Sequence, residues 1–71
     1  MELLTVTFKG YNAEMDRRVM DLLPGVELCG AGYCLISGTR DMQFTVDEFD
    51  PTTTGAALTA LGVEWGTRMA D

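Results

Sequence analysis

The chain reads as an α+β domain, a four-stranded antiparallel sheet with two helices on one face. Three observations predict this. Apolar residues alternate with period two in several short stretches, as half-buried strands require. Two other stretches carry apolar residues at helical spacing behind a good capping residue. These segments follow one another as strand, helix, strand, strand, helix, strand.

Leu4, Val6 and Phe8 alternate with Leu3, Thr5 and Thr7, so residues 3–9 are a predicted strand that Gly10 ends. Asn12 is a helix N-cap, and Glu14 and Asp16 suit the positive helix start. Met15, Val19, Leu22 and Leu23 recur on one side, with Asp16, Arg17, Arg18 and Asp21 on the other. The spacing predicts an amphipathic helix over 13–23, stopped by Pro24-Gly25.

Residues 26–37 are rich in strand formers but broken by Gly30 and Gly32, which predicts a second strand with a bulge or bend at Gly30-Ala31-Gly32. Gly38-Thr39-Arg40 reads as a turn. Met42, Phe44 and Val46 then alternate with Asp41, Gln43, Thr45 and Asp47 in a third strand. Asp50-Pro51 is the sharpest local signal, an N-cap followed by proline at the first helical position. Ala57, Leu58 and Leu61 form the buried stripe of a second helix, ended by Gly62. Val63–Arg68 is the fourth strand, with Trp65 towards the core.

Right-handed crossovers turn this order into a ferredoxin-like βαββαβ sandwich with spatial strand order 4-1-3-2. Residues 1–71 form a single domain, with no linker, repeat or low-complexity stretch. At this length a chain buries only about 60% of its unfolded surface, so its stability margin is thin.

Composition excludes several function classes. Eleven Asp and Glu stand against five Lys and Arg, for a net charge of −6, and there is no His. Contacts to phosphate need Lys and Arg, so direct binding to nucleic acid or to an anionic membrane is disfavoured. The apolar runs fall far short of the roughly 20 residues that span a bilayer. Met1-Glu2-Leu3-Leu4 shows neither a basic leader nor a cleavage site, so the expected location is the cytoplasm. Expected partners are basic proteins.

Cys29 and Cys34 lie on one predicted strand, about 15 Å apart if it is extended, too far for a disulfide within it. Two thiols without His cannot complete a structural zinc site. Acid–base or nucleophilic catalysis lacks its usual base, and Asp47, Glu48 and Asp50 read as solvated turn residues plus an N-cap. No catalytic residue, metal ligand or cofactor is assigned.

Threading the chain through the fold sends Lys9, Glu14, Asp16, Arg40, Asp41 and Glu64 to one end. Glu2, Asp21, Glu27, Asp47, Glu48, Asp50 and Asp71 go to the other, with Arg68 near them. Clustered like charge costs stability through self-repulsion. Two readings stay open for this acidic end, a binding surface or plain solubility. A binding surface would consist of Asp21, Glu27, Asp47, Glu48, Asp50 and Asp71. A second candidate surface is the open sheet face, where Tyr33 and Leu35 join Thr5, Thr7, Gln43 and Thr45 as a possible homodimer face.

The Gly38-Thr39-Arg40-Asp41-Met42-Gln43-Phe44-Thr45-Val46-Asp47 stretch leads into Glu48-Phe49-Asp50-Pro51 within a small acidic domain that lacks catalytic residues. As a class, this resembles the phage-encoded anti-CRISPR proteins that inhibit type I systems. The resemblance implies a DNA-mimicking inhibitor whose partner is the basic DNA-binding groove of a CRISPR effector complex. These inhibitors share no general motif, so no site residue follows from the resemblance itself. The rival reading is a small homodimeric regulatory or ligand-binding domain that uses the open sheet face.

Overall fold

The computed structural model describes residues 1–10 and 12–69. In chain order the elements are β1 (Glu2–Lys9), α1 (Ala13–Asp21), β2 (Glu27–Cys34), β3 (Thr39–Val46), a π-helical turn (Pro51–Gly55), α2 (Ala56–Leu61) and β4 (Glu64–Met69). The strands form one antiparallel sheet in the order β2-β3-β1-β4. This is the ferredoxin-like βαββαβ arrangement, with the expected strand order.

Alternation sets the layers. Leu4, Val6 and Phe8 of β1 and Met42, Phe44 and Val46 of β3 are buried, and Val19, Leu23, Leu58 and Val63 complete the core. Full burial stabilises such a side chain by about 1.5–3 kcal/mol. The intervening residues Thr5, Thr7, Gln43 and Thr45 stay half-buried on the open face, where Thr5 pairs with Gln43 and Leu3 with Thr45.

Helix α1 starts where Asn12 Oδ1 accepts the Glu14 N–H at 2.9 Å. The Arg18 guanidinium donates to Glu14 at 2.8 Å one turn away. The helix ends at Asp21, two residues before the predicted 23, because the residue preceding Pro24 is biased away from helical backbone. Arg40 anchors α1 to the sheet. Its Nη2 and Nε donate to the two Asp16 carboxylate oxygens at 2.7 and 3.2 Å, in a half-buried site.

Three local expectations are corrected. First, β2 ends at Cys34, and residues 35–38 form the turn. The Gly38 N–H closes it on the Cys34 carbonyl at 2.7 Å, and Gly38 takes φ 68°. Leu35 is therefore a turn residue, 87% exposed, and not part of the open sheet face.

Second, the bulge lies at Cys29, between Leu28 and Gly30, one position before the predicted bend. A single extra residue moves every following side chain to the opposite face. Ala31 then pairs with Met42 and Tyr33 with Arg40, so Tyr33 stands on the helix side of the sheet. Gly30 and Gly32, opposite Gln43 and Asp41, take the open-face positions.

Third, the second helix opens with a π turn. The Thr54 and Gly55 N–H groups both donate to the Asp50 carbonyl, at 3.0 and 3.1 Å. Asp50 is the cap and Pro51 holds the first helical position, as the sequence signals. The wide turn brings Gly55 against the Trp65 ring. Trp65 Nε1 donates to Thr59 Oγ1 at 2.9 Å, and Thr59 Oγ1 donates to the Gly55 carbonyl at 3.0 Å. Phe49 packs 5.1 Å from Trp65 between ring centroids.

Candidate acidic interface

Antiparallel pairing decides which carboxylates meet. Glu2 opens β1 opposite Val46, the last residue of β3, and opposite Met69, the last of β4. Glu27 opens β2 opposite Thr45. The chain leaving β3 runs directly into Asp47, Glu48 and Asp50. The strand ends thus gather Glu2, Glu27, Asp47, Glu48 and Asp50 at one end of the sheet. Arg68, opposite Leu3, lies at the same end.

Two concavities flank Glu48. One, of about 380 Å³, is lined by Glu27, Asp47 and Glu48 together with Met1, Gly25, Val26, Thr45 and Val46. The other, of about 490 Å³, is lined by Glu2, Glu48, Phe49, Asp50 and Pro51. Glu27, Asp47 and Glu48 are exposed. Among the described residues the ion pairs lie at α1, Arg18 with Glu14 and Arg40 with Asp16, and no cation pairs with any of these five carboxylates.

Two of the five also have structural duties. Glu2 Oε2 accepts the Phe49 N–H at 3.0 Å and holds the β3 exit against β1. Asp50 Oδ1 accepts the Thr52 and Thr53 N–H groups at 2.9 and 3.3 Å, while its Oδ2 accepts the Thr53 hydroxyl. That hydroxyl, followed by the Thr52 and Thr53 N–H groups, holds the Asp50 carboxyl below its ordinary pKa. Hydrogen bonds to the ionised form have this effect.

Of the six acids predicted for this surface, Glu27, Asp47, Glu48 and Asp50 come together around the two concavities. Asp21 lines neither of these concavities. It lines a separate hollow of about 340 Å³ between the helices, with Arg18, Leu22, Ala57, Ala60 and Leu61. Asp71 lies outside the described residues. Glu2, absent from the predicted contact set, belongs beside Glu48. Its position at the first strand residue, opposite the end of β3, was the available signal.

Both cysteines are free and exposed. Cys29 Sγ, at the bulge, donates to the Gln43 carbonyl at 3.4 Å. The Cys34 thiol is held below its ordinary pKa by the Ser37 hydroxyl, then by the Ser37 and Ile36 N–H groups, with Asp41 opposing. Among the described residues no three His, Cys, Asp or Glu side chains stand together as metal ligands would. Among the described residues no helix is long and apolar enough to cross a membrane.

The fold and this end of the sheet define a small ferredoxin-like α+β domain with a carboxylate-rich end. No family model matches the chain, and no curated protein or solved structure matches it.

Proposed function

We propose that the chain is a non-enzymatic, anti-CRISPR-like inhibitor that acts in the cytoplasm. Its acidic end imitates the charge of a DNA backbone and occupies the basic DNA-binding groove of a bacterial defence complex. One observation supports this reading above others: Glu27, Asp47 and Glu48 line one concavity without an ion-pair partner among the described residues. Carboxylates left unpaired at one end raise the field there and steer a basic partner towards it. Duplex DNA presents one charge per about 1.7 Å of axis, so a groove built for it rewards closely spaced anions.

The test is displacement of target DNA from a type I CRISPR effector complex. The wild-type chain should compete with DNA, and its affinity should fall steeply as salt rises. Reversing Glu27, Asp47 and Glu48 to Lys should abolish competition while far-UV circular dichroism stays unchanged. Asp50 and Glu2 are left intact because they hold backbone N–H groups. Undiminished inhibition by the triple Lys variant would refute the mechanism.

A further inference from the structure

Asp47 and Glu48 are exposed and belong to no strand or helix. A segment of this kind keeps backbone freedom that a partner must remove on binding, unless something inside the protein removes it first. Glu2 touches both ends of this short span. Its backbone pairs with Val46, immediately before Asp47. Its side-chain Oε2 accepts the N–H of Phe49, immediately after Glu48, at 3.0 Å.

The strand pattern explains how one residue reaches both. On β1, Glu2 stands in the core-facing row with Leu4, Val6 and Phe8, where alternation calls for an apolar side chain. A half-buried carboxylate there needs a donor, and the Phe49 N–H supplies it. The base of the clasp is fixed from two sides, since Glu2 pairs with Val46 on β3 and with Met69 on β4. Phe49 is fixed by its side chain as well. Its ring packs against the core and lies 5.1 Å from the Trp65 ring. The Trp65 indole is in turn tied to Thr59. Asp50, the next residue, caps the π turn.

We infer that Glu2 is the positioning residue for Asp47 and Glu48. One side chain closes the bend that carries them, so both carboxylates hold a fixed geometry before any partner arrives. Two anions already in place bind better than a mobile pair of equal charge, because less freedom is lost. Glu2 therefore acts through the geometry of its acceptor oxygen, whereas Asp47 and Glu48 act through their charge. The gain in binding rests on the inhibitory reading. The clasp itself does not, and it is measured without a partner.

Two substitutions separate acceptor from charge, because each removes the same carboxylate charge. Glu2→Gln keeps an acceptor oxygen. Glu2→Leu removes it and continues the apolar row of β1, so the fold is kept; should it fail to fold, Glu2→Ala carries the same comparison. Amide hydrogen exchange followed by NMR on the full chain reads the clasp, with the Phe44 amide in the sheet as the reference for the whole fold. The Phe49 N–H should exchange at least about tenfold faster in Glu2→Leu and within about threefold of wild type in Glu2→Gln, as a local opening requires. Displacement of target DNA from a type I CRISPR effector complex then reads the consequence. Glu2→Leu should compete at least about threefold less well than Glu2→Gln. Unchanged Phe49 exchange in Glu2→Leu, or equal acceleration in Glu2→Gln, would overturn the clasp. Faster exchange with equal competition by the two variants would overturn the positioning role. A wild-type chain that displaces no DNA would remove the inhibitory reading instead, while the Phe49 amide still decides whether Glu2 fixes the bend.

Discussion

Replacing Gly55 with Ala sets backbone preference against packing, and the structure decides the sign. Gly55 has φ −62° and ψ −42°, ordinary helical values that Ala adopts readily. Helix propensity alone would make Gly55→Ala stabilising by about 1 kcal/mol. The added Cβ, however, would lie 2.5 Å from Trp65 Cζ2, 2.8 Å from Cη2 and 3.2 Å from Cε2. Carbon atoms pack at about 3.5–4.0 Å, so the ring or the helix must retreat by about 1 Å. Trp65 is held by its bond to Thr59 and by Phe49. Overpacking of this kind costs about 1–3 kcal/mol. A strained Trp65–Thr59 bond adds about 1 kcal/mol. Packing wins, with a net loss of about 2 kcal/mol, or roughly 8–16 °C in Tm for a domain of this size. Thermal unfolding followed by far-UV circular dichroism measures it. A Trp65→Phe background removes the clashing benzo atoms, so the Ala substitution there should cost less than half as much. A Gly55→Ala variant as stable as wild type, or an equal loss in both backgrounds, would refute the reasoning.

Two further outcomes follow from the polar contacts. Asp50 is held below its ordinary pKa in the folded state, so it adds stability above its unfolded value of about 4 and loses that contribution as pH falls through the lower folded value. Urea midpoints for Asp50→Asn should therefore fall further below wild type at pH 7 than at pH about 2, and equal deficits at both pH values would contradict the cap chemistry. The turn donors that lower the Cys34 pKa raise its thiolate fraction near neutral pH. Peptide mass spectrometry after brief iodoacetamide treatment should find Cys34 alkylated ahead of Cys29. Ser37→Ala should slow that reaction, and an unchanged rate would remove Ser37 from the account.

The acidic end was legible because it depends on topology alone. Once the element order sets strand directions, Glu27, Asp47, Glu48 and Asp50 must share an end, since each stands at the start or just beyond the finish of a strand. Asp21 obeys the same direction but hangs from a helix. Its distance from the others depends on how α1 packs, and it lines the hollow between the helices instead. That Glu2 and Asp50 already hold backbone N–H groups required coordinates.

By itself, the amino-acid sequence determined the element order, the strand order, the core-facing residues of β1 and β3, and the caps at Asn12 and Asp50. These are local periodicities and side-chain chemistry that no distant contact overrides. Only the tertiary structure decided the rest. The bulge at Cys29 turned Tyr33 to the helix side, because one unpaired residue reverses all later alternation without leaving a trace in composition. Trp65, far along the chain, leaves room only for glycine at position 55, a constraint that Gly55's ordinary dihedrals do not reveal. The lone charge on β2 was visible from the start, but that β2 is an edge strand with its flank open is a property of the sheet.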